Sequence, residues 1–546
     1  MSNISYIFGT STKPLRGETI GQNFKSMVDK FPDNDAFICV HQNYRATYRE
    51  FWDQTTVVAK AIIANGVHVG DRVGIWAMNR YEWILLQYAT ARVGAILVVI
   101  NPAYRANELK YTLKESGVRL LVSDLIYKNS DYKKMVETVE KSCHELKQTV
   151  FFDDNWDEFL QSAKCVSDKK LAEIESSIQF DDPINIQYTS GTTGLPKGAT
   201  LSHCGMLNNA FFVGERLHYT EKDRLCLPLP LYHCFGTIVA NLACTTHGAC
   251  VVVPDKAFNP AATLQAIEKE KCTSLYGVPT MYIAELQVPD FDKYNLKSLR
   301  TGVMAGQPCP IDLMKDVQSK MYMKEITICY GMTELSPVSV QTVIGAPLEK
   351  QVSTVGTIQD HLEIKIINPE TGEVVPRGVA GEVCTRGYSV MLKYWNNPKA
   401  TQDVIDDKRW IHSGDVGIMD EEGYISITGR IKDIIIRGGE NISPSEIEDF
   451  LYTHPLIENV QVIGIPSEKY GEEIMAWVKF KEGESATEAE LKRFCKDQIA
   501  HYKIPKYWKF VTEFPLTITG KVRKVEMREI AVKELGLEDL LKTKNA

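Results

Sequence analysis

The chain of 546 residues lacks any long hydrophobic run. Its best candidate, residues 237–254, is interrupted by Asn241, Thr245, Thr246 and His247. That is too short and too polar for the about 20 apolar residues of a membrane-spanning helix, so no transmembrane segment is expected. An excess of positive charge is also missing: 62 Lys and Arg face 70 Asp and Glu, a net charge of −8. This excludes nucleic acid as the main partner, because binding a phosphate backbone takes a basic face. The thirteen cysteines include no Cys-x-x-Cys pair, and no secretory signal precedes them. Reduced, mostly buried thiols in an intracellular compartment are the expectation. Targeting signals are equally sparse. Up to Glu18 the only cations are Lys13 and Arg16, and Pro14 and Gly17 make a poor amphipathic transit helix. The last residues, Lys544-Asn545-Ala546, are not a peroxisomal Ser-Lys-Leu. Neither an internal repeat nor a low-complexity tract occurs.

What is present is alternation. The helix pattern of residues 48–66 precedes a strand pattern at 71–77, and a helix at 82–94 precedes the apolar run 95–100. Val- and Ile-rich runs between amphipathic helices indicate βαβ units and buried, mostly parallel sheets. The length calls for at least two domains. Composition breaks near Gly429, where Arg430-Ile431-Lys432-Asp433 makes a charged joint. Beyond it lies a small α+β pattern: a helix capped at Ser443, strands at 460–465 and 474–480, a helix from Thr487 and a strand at 506–511. The reading is an α/β protein. A large domain, 1–430, has mostly parallel sheets flanked by helices, and a small mobile α+β domain, 431–546, follows a hinge near Lys432.

The chemistry starts at residues 188–203, YTSGTTGLPKGATLSH. Gly191, Gly194 and Gly198 allow backbone conformations closed to other residues. Thr189, Ser190, Thr192 and Thr193 add hydroxyl and amide donors, so that the loop through Leu195 can wrap phosphates with N–H groups and one cation, Lys197. It is not a Walker A loop, which needs Gly-Lys followed by Ser or Thr. Pro196 disfavours a helical residue before it, which keeps Lys197 off a helix and on a loop. Tyr330-Gly331-Met332-Thr333-Glu334 offers an aromatic for a purine, a hydroxyl for a phosphate and a carboxylate for Mg²⁺.

TSGTTGLPKG resembles the signature loop of the adenylate-forming superfamily, which contains acyl-CoA synthetases, nonribosomal peptide adenylation domains and beetle luciferases. The resemblance continues in the family's order along nearly the whole chain. It implies that Thr189–Lys197 hold the pyrophosphate of ATP, that Tyr330 stacks on adenine, that Thr333 meets the α-phosphate and that Glu334 helps bind Mg²⁺. Gly306-Gln307-Pro308 matches the segment on the other side of adenine, with Gln307 in place of a frequent alanine. In WIHSGD, Asp415 resembles the ribose-binding aspartate, and Arg430 resembles the arginine that assists it. Lys432 falls on the pivot. Lys521, in the segment PLTITGKVRK, resembles the adenylation lysine, whose cation can bridge the substrate carboxylate and the α-phosphate.

Gly438 and Gly439 match a segment that lies along a pantetheine channel, and Tyr502 falls where relatives contact the CoA nucleotide. Leu231–Gly236 resembles a gating segment that puts His233 beside the substrate carboxylate. Phe235, Val239, Val303 and Ala305, with Gly277 and Met281, would line an apolar, uncharged acyl pocket. A monocarboxylate with an apolar tail fits better than an amino or dicarboxylic acid. ATLSH, LPLYHCFG, LYGVPTMY and RGYSVMLKYW are similar to the medium-chain subfamily called acyl-CoA synthetase family member two, which is mitochondrial in animals. The implied activity is ATP- and Mg²⁺-dependent joining of a fatty acid to CoA through an acyl-adenylate, with release of AMP and pyrophosphate. A luciferase-type monooxygenase or an aryl-CoA ligase shares these motifs, and a non-catalytic binding protein on the same scaffold is the remaining alternative. The cytoplasm is the alternative compartment.

Overall fold

The computed structural model describes residues 3–189, 196–307, 309–438, 440–496, 498–516, 522–538 and 540. Two compact units emerge. One comprises Tyr6–Ile364 and Thr385–His412; the other comprises Met1–Ser5, Lys365–Cys384 and Ser413–Ala546. The boundary falls inside three strands: Leu362–Ile367, Gly381–Gly387 and Ile411–Met419.

The larger unit is built as the alternation predicts. Residues 48–66 form the helix Tyr48–Ala64, opened by a capping box. The Thr47 hydroxyl accepts from the Glu50 N–H, and the Glu50 carboxylate accepts from the Thr47 N–H at 2.8 Å. Phe51, Thr55, Val58, Ala59 and Ile62 recur at helical spacing and are buried. The helix Tyr81–Val93 stops at Gly94, whose φ of 66° supplies the left-handed residue that ends many helices.

Two sheets carry the unit. The seven-stranded one runs Lys393–Tyr394, Lys197–Ser202, Pro183–Thr189, Ile96–Val99, Arg72–Trp76, Val118–Ser123, Gln148–Phe151. From Pro183–Thr189 onward every neighbour pair is parallel; the first two strands add antiparallel. The nine-stranded sheet runs Thr357–Ile358, Val338–Gln341, Glu325–Gly331, Thr301–Ala305, Ser274–Gly277, Arg224–Cys226, Cys250–Val253, Asp35–Cys39, Tyr44–Thr47. Its middle is parallel and its edges antiparallel. Parallel strands end on the same side, and an α/β fold collects its ligand groups at those carboxyl ends.

In the smaller unit, strand Gly471–Phe480 pairs antiparallel with Ile457–Ser467 and with Ile435–Arg437, and parallel with Tyr507–Phe510. Alternation along the strands feeds two cores. Val460, Val462, Ile474, Ala476 and Val478 meet Ile447, Leu451, Leu491 and Cys495. Ile463, Ile465, Met475 and Trp477 meet Met527 and Ala531. The strand and helix patterns beyond residue 443 therefore hold, with two additions: the hairpin Ile435–Arg437/Glu440–Ile442 and the helix Lys524–Glu534. One local expectation fails. Ser443 precedes the helix Pro444–Tyr452 but does not cap it. Its hydroxyl donates instead to the Thr428 carbonyl at 2.5 Å, beside that of Ser445, which donates to the same oxygen. Among the described residues, no helix is long and apolar enough to cross a membrane.

Candidate active site

The described residues on either side of the candidate phosphate loop pair with each other. Strand Pro183–Thr189 pairs antiparallel with Lys197–Ser202, with Thr189 opposite Lys197. The Thr189 hydroxyl donates to the Lys197 carbonyl at 3.3 Å, and the Tyr111 hydroxyl donates to the Pro196 carbonyl at 3.2 Å. Ser190, Gly191, Thr192, Thr193, Gly194 and Leu195 lie outside the described residues. Lys197 is off a helix, as expected, but it opens a strand instead of riding on the loop. The hydrogen-bonded register at Thr189 fixes its backbone.

The second motif leaves the carboxyl end of Glu325–Gly331 and turns through Thr333–Leu335. The turn leaves no room at Gly331, where a Cβ would lie 1.9 Å from the Pro337 carbonyl oxygen. Tyr330 and Thr333 are half-buried, while Glu334 is buried. The Glu334 carboxylate accepts from the Tyr394 hydroxyl at 2.7 Å, and its backbone carbonyl accepts from the Met391 N–H at 2.8 Å. Burial and the adjacent carboxylate push the Tyr394 phenol far above its ordinary range, so it stays protonated and donates. Lys197 Nζ sits 5.3 Å from the centroid of the same tyrosine ring. Nothing in periodicity marks Tyr394; the only signal was its place in the RGYSVMLKYW segment.

Strand Thr301–Ala305 lies parallel beside Glu325–Gly331, with Ala305 opposite Cys329. Gly306, at a φ of 90°, and Gln307 leave that neighbouring strand end, close in register to Tyr330. Pro308 lies outside the described residues.

The apolar side chains expected to line an acyl pocket all lie in the core of the larger unit. Phe235, Val239, Val303 and Ala305 belong to one buried cluster with Leu231, Tyr276 and Met281. Phe235 stacks on Tyr276 at 5.9 Å, and the Tyr276 hydroxyl accepts from Tyr219 at 3.1 Å. Val239 sits in a π-helical stretch, Phe235–Leu242, a conformation frequent at functional sites. His233 Nδ1 accepts from the Phe235 N–H at 3.1 Å. Next to it, Cys234 Sγ lies 3.5 Å from the Thr333 hydroxyl and 3.8 Å from His233 Nδ1. Burial opposes ionisation of this thiol, but His233 and the Thr333 hydroxyl outweigh it, and the thiol titrates below its ordinary range. The gating segment and the phosphate motif therefore touch through Cys234 and Thr333, which spacing alone did not reveal.

In the smaller unit, Asp415 and Arg430 stand opposite each other on an antiparallel hairpin. Arg430 Nε donates to the Asp415 carboxylate at 2.8 Å. Asp415 is buried, and the Arg430 side chain is 43% exposed. A buried acid beside an accessible guanidinium can serve two vicinal hydroxyls. Lys432 is exposed on the turn Ile431–Asp433. Gly438 has a φ of 60° and lies against Tyr470, whose carbonyl accepts its N–H at 2.8 Å. Tyr502 is part of an exposed turn, His501–Lys503. Gly439 and Lys521 lie outside the described residues.

Known proteins place the chain in a family. The model of the AMP-binding enzyme family matches residues 24–395, and that of the AMP-binding enzyme C-terminal domain matches residues 446–521. The mitochondrial medium-chain acyl-CoA ligase ACSF2 of Danio rerio is 42% identical, over 98% of this chain and 91% of its own. Its Homo sapiens counterpart is 39% identical over the same shares. Among solved structures, ATP-bound MatB from Rhodopseudomonas palustris superposes with a TM-score of 0.85 at 28% identity, covering 95% of this chain and all of its own. The chain belongs to the AMP-binding family of adenylate-forming enzymes.

Proposed function

We propose that this chain is an ATP-dependent acid–thiol ligase that converts a medium-chain fatty acid to its CoA thioester. The observation that carries the reading is the contact of Cys234 with Thr333. It sets the phosphate motif beside Phe235, whose ring stacks on Tyr276, the strand partner of Val303. An apolar tail fits against these residues, and the carboxylate end then faces Thr333 and His233. The two ACSF2 relatives support the same substrate class through their names.

A carboxylate is a poor electrophile and must first be activated. In the proposed first step its oxygen attacks the α-phosphorus of ATP, which forms an acyl-adenylate and expels pyrophosphate. Thr189–Lys197 hold the leaving group, Thr333 holds the α-phosphate, Tyr330 and Gly306–Pro308 flank adenine, and Asp415 with Arg430 binds the ribose. Most of the rate comes from positioning and charge neutralisation. Glu334 suits a hard cation: a carboxylate offers about four lone-pair sites, and the Tyr394 hydroxyl takes one. When bound there, Mg²⁺ would neutralise charge on the phosphates. Lys521 supplies the cation that steadies the attack.

In the second step the CoA thiol attacks the acyl carbonyl and AMP leaves. Gly438, Gly439 and Tyr502 are the proposed CoA contacts, and a hinge at the exposed Lys432 lets residues 431–546 bring first Lys521 and then this segment to the site. The gap between the two family matches brackets Lys432. The mitochondrion is the proposed compartment, in line with the names of the two relatives. The test is direct: purified protein with ATP, Mg²⁺, octanoate and CoA should release AMP and form octanoyl-CoA. Absence of CoA-dependent AMP across fatty acids of different length would refute the assignment.

A further inference from the structure

We propose that Tyr394 is a positioning residue that holds Glu334 and Lys197 ready for Mg²⁺ and phosphate. This rests on the roles given above to Glu334 and Lys197. The side chain is buried, and it touches both groups at once. Its hydroxyl donates to Glu334 at 2.7 Å, and its ring carries the Lys197 ammonium at 5.3 Å from the centroid. A glutamate has three side-chain torsions, and one fixed hydrogen bond restricts them to few arrangements. One carboxylate oxygen is thus pinned while lone pairs stay open to a cation. An ammonium over an aromatic face is held by the ring quadrupole, which is weak enough to release it to an arriving phosphate.

The backbone shows why this tyrosine has that reach. Strand Lys393–Tyr394 adds to the edge of Lys197–Ser202, with Tyr394 opposite Ala199. The Trp395 N–H donates to the Gly198 carbonyl at 2.7 Å, and the Leu392 N–H to the Thr200 carbonyl at 2.9 Å. The same segment grips the other motif. The Met391 N–H donates to the Glu334 carbonyl at 2.8 Å, and the Ser336 hydroxyl to the Ser389 carbonyl at 2.7 Å. The Tyr394 N–H donates to the Thr401 hydroxyl at 2.9 Å, which anchors its far side. A segment tied on both flanks presents one side chain to a carboxylate and a cation from two separate motifs.

The experiment compares Tyr394→Phe, which keeps the ring and loses the hydroxyl, with Tyr394→Leu, which loses both. Calorimetric titration with ATP, with and without Mg²⁺ and without any fatty acid, reads binding in the absence of turnover. Removing a partner of a metal ligand weakens metal affinity about ten-fold. Tyr394→Phe should therefore bind Mg·ATP about ten-fold more weakly and bind Mg²⁺-free ATP as the wild type does. Tyr394→Leu should also weaken Mg²⁺-free ATP about five-fold, the scale of one lost cation–π contact. On a Glu334→Gln background, Tyr394→Phe should add nothing. Full Mg²⁺ dependence in Glu334→Gln overturns the underlying reading of that carboxylate and the proposal with it. Loss of Mg²⁺ dependence in Glu334→Gln with wild-type behaviour in Tyr394→Phe overturns the proposal alone. Thermal melts of both tyrosine variants check that the fold survives.

Discussion

Glu285 is fully buried, and among the described residues neither of its carboxylate oxygens has a hydrogen-bond partner. It sits on the helix Pro279–Leu286, whose Met281 belongs to the acyl-pocket cluster and whose Tyr282 packs into a second core. Burial raises the Glu285 carboxyl well above the ordinary value of 4.5, so the folded protein keeps it protonated. The unfolded chain ionises the same group near that ordinary value. Stability linked to Glu285 is therefore fully present below about pH 4.5 and is lost as pH rises toward the folded value. Each pH unit in that window costs about 1.4 kcal/mol. Glu285→Gln keeps the shape and removes the titration. Its melting temperature should match that of the wild type near pH 5 and exceed it by a margin that grows as pH rises. Scanning fluorimetry at pH 5, 6.5 and 8 makes the measurement. A gap that does not change with pH would show that the folded carboxyl ionises normally.

Three further outcomes test the site. Asp415→Asn weakens the acceptor of Arg430; losing a hydrogen bond to a charged group costs about 1.5–3 kcal/mol. The kcat/KM for ATP should fall at least ten-fold with the thermal melt unchanged, and a fall in fatty-acid affinity alone would contradict the ribose role. Lys521→Ala should abolish octanoate-dependent pyrophosphate release yet still convert supplied octanoyl-adenylate and CoA to the thioester; equal loss of both steps contradicts its assignment to adenylation. In the proposed reading Val303, fully buried on the same strand as Ala305, limits the depth of the acyl pocket. Val303→Phe should raise KM for decanoate about ten-fold more than for butyrate, since each excluded methylene forfeits about 0.8 kcal/mol, and a uniform loss across chain lengths would remove Val303 from the pocket.

Most of the architecture was legible because apolar periodicity is a local signal. Residues 48–66 and 82–94 differ from the observed Tyr48–Ala64 and Tyr81–Val93 only at their ends. The short hairpin Ile435–Arg437/Glu440–Ile442 escaped because three-residue strands carry too little alternation to register. The candidate site was legible for a different reason. Thr189, Lys197, Thr333 and Glu334 are polar residues within three positions of a glycine, at or just past strand ends, where a core has no use for them.

What stayed hidden depends on pairing between distant strands. Glu334 and Tyr394 are sixty residues apart, and they meet because Lys393–Tyr394 adds to the free edge of Lys197–Ser202. No periodicity contains that information, since register across an edge is chosen by the tertiary fold. Glu285 was hidden in the same way. Its burial follows from the packing of the helix Pro279–Leu286, whose Tyr282 enters the second core. The two glutamates then part by environment alone. Glu334 gains a phenolic donor at 2.7 Å and lies on the turn just past a strand end. Glu285 gains no donor, and its charge is suppressed. The proposed function therefore follows from where the folded strands stop, because there the buried Glu334 carboxylate has a hydrogen bond on one side and, in that reading, a ligand on the other.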